Sequence, residues 1–495
     1  MLLSYLWHQC RYYVTRIVTI SLFLFVFKVF SSEPVVAPTI QTEVEQQQAE
    51  RLKEIRASQK SLESLTQLPP SHVGDLQDET RCFVIQTFEI DGNEAVSGQT
   101  LLALIQGNRG RCLGTSGINE ILKALTNHYI SLGYVTSRAV LPAQDLTSGI
   151  LRIVIAEGKL ESFQINGSMS EKFYSAFPYL VGEILNLRDI EQGLDQINRL
   201  SRYDAKISML PGTDPGFTIV SIETRDMGAF SYHAGFNNAG QKSAGETQLT
   251  TQLRGENLLG LLDNWVISGN KSSEFATDHD ATNARLSLSV PFGYYSLGYS
   301  YSYSDYKTTF LSNGFPFKSD GKTQTHESYV DWLFSRNNIS KSSLKFSVNH
   351  RREKNYINDT LLVTSSRNLS HVSLGITHST RFLGGFLTFA PRYIRGATLF
   401  NSESDAGKRQ GQPLAEFNKA DATLSYSYPL ATNTFLTTTV FGQWSDDKLY
   451  GSQRLSVGGL YSVRGFKEQS ISGDTGYYWR NDITYRLEPV PYLAT

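Results

Sequence analysis

The sequence predicts two small α+β modules in tandem, followed by an antiparallel β-barrel that spans a membrane. Three observations carry that prediction. An apolar run near the N-terminus reads as an export signal. A strand–helix–strand pattern then repeats at a spacing of about 75 residues. From Asp226 onward, apolar and polar side chains alternate to the end of the chain. In "YSLGYSYSYSDY", residues 295–306, Leu297, Tyr299, Tyr301 and Tyr303 share one face of a strand, and Ser296, Gly298, Ser300 and Ser302 share the other.

The charge balance narrows the partners. Across 495 residues, 46 Lys and Arg stand against 47 Asp and Glu, which leaves no electrostatic footprint for nucleic acid. Serine, threonine, glycine and tyrosine are abundant after residue 226, whereas leucine-rich helical patterning is confined to the region before it.

Residues 1–32 read as a signal peptide. Arg11 and Arg16 precede "IVTISLFLFVF" (17–27), a run of signal-core length and too short to span a bilayer comfortably. The competing reading is an uncleaved N-terminal anchor. No later stretch has the apolar length of a transmembrane helix, so residence in a membrane requires a barrel. Within residues 33–79, the stretch 41–66 is rich in helix formers with Glu, Lys and Arg at helical spacing, and "LPPS" (68–71) breaks it. Its apolar content is too thin for a core position. The helix either docks in a polar cavity or stays solvated.

The first module occupies 80–158 and the second 159–225. Unit one opens with "CFVIQTFEIDGN" (82–93), continues through helical "INEILKALTNHYISLGY" (118–134) and ends in strands around "VTSRAVLP" and "GILRIVIAEG". Unit two opens with "LESFQINGS" (160–168), continues through helical "LRDIEQGLDQINRLS" (187–201) and ends around "YDAKISMLP" and "GFTIVSIET". Each is expected to run strand, two helices, two strands, with Gly92 and Gly167 turning the chain after the first strand. Cys82 and Cys112 are the cysteines beyond the signal, which holds Cys10. In an oxidising compartment a disulfide between them is favoured over two unrelated thiols, and the loop it closes is worth about 3.5 kcal/mol in the chain-entropy account. Two cysteines without nearby histidines do not make a zinc set, and no metal site is expected.

Residues 226–495 form the barrel. Alternating segments lie near residues 229, 248, 265, 285, 297, 330, 346, 373, 388, 423, 438 and 482. Most have about ten residues, the length a tilted strand needs to cross a bilayer. Short turns such as "VPFGYY" and "RFLGGFL" are expected at one end, and long polar loops such as 306–322 and 397–418 at the other. A soluble sandwich or propeller would also alternate. Strand length, aromatic residues at strand ends and the secretory start favour a barrel with lipid against the tyrosines and water against the serines.

The sharpest local stretch is "RLSVGGLYSVRGFKEQSISGDTG" (454–476), where Val463, Arg464, Gly465 and Phe466 set a fixed cation between apolar neighbours. Folded into a barrel lumen, that arginine needs a carboxylate from the inner wall. A solvated loop arginine is the plainer alternative.

These residues resemble the outer-membrane transporters of two-partner secretion, which export haemolysin-like and filamentous haemagglutinin-like proteins. Val463-Arg464-Gly465-Phe466 resembles the Val-Arg-Gly-Phe/Tyr motif of their sixth extracellular loop. "GYVTSRAVLPAQDLTSGIL" (133–151), with Cys82 and Cys112, resembles their first polypeptide-transport-associated (POTRA) domain, and "LNLRDIEQGLDQINRL" with "LPGTDPG" resembles the second. The resemblance implies a sixteen-stranded barrel, of which about twelve strands are visible, and a helix that plugs the pore, matched by 41–66. It further implies a Gram-negative outer-membrane location, with periplasmic POTRA domains that capture an unfolded exoprotein for export to the cell surface. Capture by strand addition would fall on sheet edges around Val135, Thr136, Arg138, Val140 and Leu141, and around Asp204, Lys206 and Ser208. The family's inner-wall aspartate for the loop arginine is expected on the next strand, beyond Thr495, and the chain is expected to be truncated there.

Two other classes compete with this reading. A related barrel that inserts proteins into the outer membrane shares the plan, but "GYVTSRAVLPAQDL" fits the secretion branch better. For an enzyme, the sequence shows no nucleophile elbow, zincin motif or phosphate loop, and its nine histidines are scattered. "DHDATN" (278–283) reads as a solvated loop ahead of a calcium site. No cofactor is expected. The partners are the exoprotein and outer-membrane lipids, without nucleic acid.

Overall fold

The computed structural model describes residues 38–62, 82–170, 172–465 and 469–487, with side chains of the first helix from Glu45 onward. The expected signal, most of the linker, and Phe466 of the loop motif lie outside the described residues. The polar helix is α1 (Pro38–Lys60), somewhat earlier than the 41–66 expected.

The first module contains β1 (Phe83–Val84), β2 (Thr87–Asp91), α2 (Gly98–Ile105), β3 (Cys112–Leu113), α3 (Thr115–Ser131), β4 (Arg138–Val140) and β5 (Ile150–Ala156). Its main sheet has the order β2-β5-β4, β2 parallel and β4 antiparallel to β5. Leu151, Ile153 and Ile155 alternate along β5 toward Leu101, Ile105, Ile118, Ile121 and Leu125 of the helices, so period 2 meets period 3.6 across one core. Ser97 caps α2 by accepting from the Thr100 N–H. The Cys82–Cys112 disulfide lies where β1 pairs with β3.

The second module contains β6 (Lys159–Ile165), β7 (Ser168–Met169), α4 (Leu187–Asn198), β8 (Tyr203–Pro211) and β9 (Phe217–Asp226), in the sheet order β7-β6-β9-β8. Gly92 and Gly167 turn with φ 74° and 81°. The expected pair of helices holds for the first module and fails for the second. There, 172–186 is irregular apart from one 3₁₀ turn, Tyr174–Ala176. Phe173, Ala176 and Phe177 drop from this segment into the core. The Phe177 ring lies directly on α4 at Gly193, where a Cβ would sit 1.9 Å from Cε1.

The rest is one large antiparallel sheet, with a separate two-stranded one in its last long loop. Its twelve main strands are β10 (Phe230–Asn237), β11 (Gln248–Glu256), β12 (Asn264–Ser272), β13 (Asp280–Phe292), β14 (Tyr295–Ser312), β15 (Phe315–Arg336), β16 (Ser340–Ile357), then, beyond the short β17 (Thr360–Leu361), β18 (Arg367–Phe382), β19 (Gly385–Gly396), β20 (Asn418–Ala431) and β21 (Thr434–Trp444), and, after β22 (Leu455–Val457) and β23 (Ile471–Gly473), β24 (Gly476–Tyr485). Each main strand pairs with the next along the chain, and β10 and β24 are the edges among the described residues. Every alternating segment expected from the sequence is one of these strands.

The sheet is inverted relative to a soluble protein. Leu297, Val330, Phe346, Leu374, Phe389 and Val440 are exposed on one face, while Ser300, Ser347, Arg351, Ser373, Ser425 and Thr439 are buried on the other. An apolar exterior around a polar interior is stable only against hydrocarbon. Turns at 293–294, 337–339, 383–384 and 432–433 lie at the end facing the second module, and the loops 238–247, 397–417 and 445–475 lie at the other. The expected polar loop 306–322 is instead a continuous hairpin. Strands β14 and β15 run past the membrane into water to an Asn313-Gly314 turn, both residues at positive φ. Lysines at 307, 318 and 322 mask the strand signal there because both faces of that stretch are wet.

Candidate functional site

Helix α1 runs inside the sheet. With 23 residues it is about 35 Å long, matching the roughly 30 Å hydrocarbon layer. Its contacts follow its length. Glu45 accepts from Gln241 Nε2 of the first long loop at 3.0 Å, and Gln48 Nε2 donates to Ser456 O at 2.8 Å. Arg51 lies over the Phe441 ring, 3.5 Å from its centre. Glu54 pairs with Lys345 at 2.8 Å, and Gln59 donates to Ser425 O at 3.4 Å. Beyond the last turn, Lys341 Nζ donates to Ser61 O and Arg381 Nη2 to Leu62 O, cations placed where a helix C-terminus presents unpaired carbonyls. The helix therefore spans the lumen with its C-terminal end at the module side. Its grip combines polar contacts, each worth about 0.5–1.5 kcal/mol or more where a charge is involved, with the buried Leu52 and Ile55.

The loop between β21 and β24 folds against this helix. Val463 packs on the cluster Phe441, Leu455 and Tyr478. Arg464 Nη2 reaches Asp482 Oδ1 at 3.0 Å. Among the described residues the carboxylate that meets this arginine is Asp482 on β24, because the loop doubles back over the strand that follows it. Arg480 shares the same carboxylate at 2.8 Å and also donates to Tyr461 O. The tight backbone path expected at Gly465 lies elsewhere: a Cβ there meets nothing within 4 Å, whereas at Gly459 (φ 95°) it would sit 2.3 Å from Glu45 Oε1. A glycine is needed where the plug and the loop touch. Between them remains a cavity of about 460 Å³ whose lining includes Lys53, Arg56, Lys60, Arg464 and Arg480. Its walls set those cations among Ala49, Leu52, Ala57, Leu460 and Tyr461.

The second module is bolted to the module-side end of the sheet. Ile190, Leu194 and Ile197 of α4 face the module core, and the opposite polar stripe meets the wall. Arg336, almost fully buried, binds Asp195 and Glu191, and Glu191 also takes Arg188 at 2.8 Å. Lys341 Nζ lies 2.6 Å from Asp195 Oδ2, so one lysine touches both the module and the end of the plug. Arg199 donates to Ser289 Oγ and Leu262 O at 2.7 Å. Leu262, from the turn after β11, is fully buried in the module core. Burial pushes the Asp195 carboxyl up, but Arg336 and Lys341 outweigh it and hold it below the usual range.

The residues read as capture edges separate into two groups. Strand β4 pairs only with β5, and β8 only with β9, among the described residues. Arg138, Val140 and Leu141 are exposed at the first edge, and Asp204, Lys206 and Ser208 share the exposed face of β8. Val135 instead packs on the second module's core, and Thr136 sits against Gly158, where a Cβ would be 2.3 Å from Oγ1. Those two form the joint between modules. Sequence reasoning missed Asp482, Arg336, Lys341 and Arg381. For Glu191, Gln192, Asp195 and Gln196 the signal was present as a second, polar stripe at helical spacing.

Comparison with known proteins agrees with this arrangement. The family described as "Haemolysin secretion/activation protein ShlB/FhaC/HecB" matches residues 216–495, "POTRA domain, ShlB-type" matches 83–158, and "POTRA domain" matches 159–211. The chain is 40% identical to the outer membrane transporter CdiB of Dickeya dadantii (strain 3937), over 92% of this chain and 82% of that protein. It is 27% identical to the hemolysin transporter protein ShlB of Serratia marcescens, over 83% and 73% respectively. The solved structure of CdiB from Escherichia coli superposes with a TM-score of 0.89 at 37% identity, covering 93% of this chain and 86% of that one.

Proposed function

Because this chain belongs to the haemolysin secretion/activation protein family ShlB/FhaC/HecB, the outer-membrane transporters of two-partner secretion, we propose that its lumen exports a haemolysin- or haemagglutinin-like exoprotein once α1 withdraws. The observation that carries this reading is a lumen-spanning helix held by scattered polar contacts on the inner face of an inverted sheet. The buried stripe of this helix mixes Gln48 and Gln59 with Leu52 and Ile55, a weaker apolar seam than a permanent core helix presents. No nucleotide is needed, and the folding of the exoprotein outside the cell supplies the direction.

Tethering α1 to the wall tests this. A short thiol cross-linker between Gln59→Cys and Ser425→Cys is expected to stop export of the exoprotein, with recovery when a cleavable linker is cut. Undiminished export by the cross-linked protein would show that the plug need not move.

The unfolded exoprotein is proposed to add to the free edge of β8, whose backbone groups accept an extended chain without demanding one sequence; at β4 the outward N–H, that of Ala139, already donates to Thr126 Oγ1. Ile207→Pro and Met209→Pro each remove one N–H from the open side of β8, the side to which the Ala205 N–H also points. Both are expected to lower export severalfold while the module keeps a cooperative thermal transition, measured by secretion assay beside circular dichroism. Normal export would remove this edge from the mechanism.

A further inference from the structure

We propose that the loop 172–181 of the second module is a membrane-interface anchor, laying that module on the periplasmic leaflet of the lipid in which the strands sit. This rests on the reading of the strand half as lipid-embedded. Tyr174, Tyr179 and Val181 are all exposed, Tyr179 at 75%. The two tyrosine rings meet edge-on at 6.1 Å, and each reaches Phe292, at 6.5 and 6.1 Å. Phe292 ends β13 on the face that carries Leu288 and Val290. Its register partner is Tyr295, which stacks on Trp332 at 6.0 Å. Aromatic rings therefore follow the lipid-facing rim of the wall from Trp332 to Phe292 and carry on to the module.

The loop is held in that position. Ser175 O accepts the Gly293 N–H at 2.8 Å, and Ser175 Oγ donates to Leu261 O at 3.1 Å, so both neighbouring turns fix it. Phe173 and Phe177 of the same segment are buried, whereas Tyr179 adopts φ 60°. Bulky residues rarely take that conformation, and it persists only where the surroundings impose it. Beside the loop, Leu258, Leu259 and Leu261 are exposed around the buried Leu262. Tyrosine suits such a position because the ring prefers the acyl boundary and the hydroxyl the headgroups. Continuity with the outer face of the wall identifies the occupant as lipid, since an apolar patch of this kind facing water would invite association.

Site-directed spin labelling of the full chain in phospholipid nanodiscs tests the anchor. With Cys10 replaced by serine, a nitroxide is placed at Tyr179→Cys, at Lys206→Cys on the exposed face of β8, and at Phe346→Cys on the outer wall. The expected result is that the label at 179, like that at 346, collides more with oxygen than with a polar nickel chelate, whereas the label at 206 shows the reverse. A label at 179 as water-accessible as that at 206, with 346 in lipid, overturns the anchor alone. Water access at 346 as well overturns the barrel reading beneath it. A label at 179 that leaves water only on addition of the unfolded exoprotein assigns the surface to that partner and also overturns the proposal.

Discussion

Asp195→Ala is expected to loosen the second module from the strand half by about 3 kcal/mol, the scale for removing one partner of a buried ion cluster. The substitution leaves Arg336 with Glu191 and the neutral Gln192 and deprives Lys341 of its carboxylate, although both cations are shielded from water. Faster proteolysis at the module junction of the reconstituted protein measures it, and Asp195→Asn should fall between the variant and the parent. The same cluster sets a pH dependence. The native Asp195 carboxyl lies below its ordinary value, so the contribution is complete above the unfolded carboxylate pKa of about 3.9 and is lost as pH falls through the lower, native value. Junction protection that is flat at neutral pH and fails only in that acidic range is the expected profile. Since Lys341 also holds Ser61 O, Asp195→Ala should leave the plug's end more firmly held by that lysine, which a lower export rate would reveal.

The second large effect lies at the loop arginine. Arg464→Glu sets a carboxylate against Asp482 and is expected to reduce export while leaving barrel assembly largely intact. Asp482→Ala should release the loop more than Arg464→Ala does. The Arg464 side chain is 58% exposed, so its own pair is worth only about 0.2–1 kcal/mol. Asp482 also satisfies the buried Arg480, whose loss of a partner adds about 1–3 kcal/mol. Protease sensitivity of the loop 458–475, read beside export, ranks the variants. Equal sensitivity in both would show that Arg480 does not depend on Asp482.

Most of the strand half was legible because a wall between lipid and water forces period-2 alternation on every strand, as in Leu297 to Ser304. The signal failed where that boundary ends: past Tyr306 both faces meet water, and the β14–β15 hairpin looked like a loop. The first module was legible from its two amphipathic helices. In the second, the missing helix was hidden because Phe173 and Phe177 imitate helical spacing while the chain between them turns irregularly. At the site, Arg464 stood out as a cation among apolar residues, but its partner did not. Pairing with Asp482 depends on how a long loop folds back, which local pattern does not encode. The docking stripe on α4 was visible as spacing, yet its purpose appears only once Arg336 and Lys341 arrive from residues far along the chain.

The central claim, a hydrocarbon-facing exterior around an aqueous lumen, is tested most directly by a cysteine scan of β14 in outer-membrane vesicles. Single cysteines at the half-exposed inward positions Ser296 and Ser302 are expected to react with a small water-soluble maleimide, and cysteines at Leu297 and Tyr299 to be protected until the membrane is dissolved. Reaction at 297 and 299 with protection at 296 and 302 would turn the wall inside out and contradict the account.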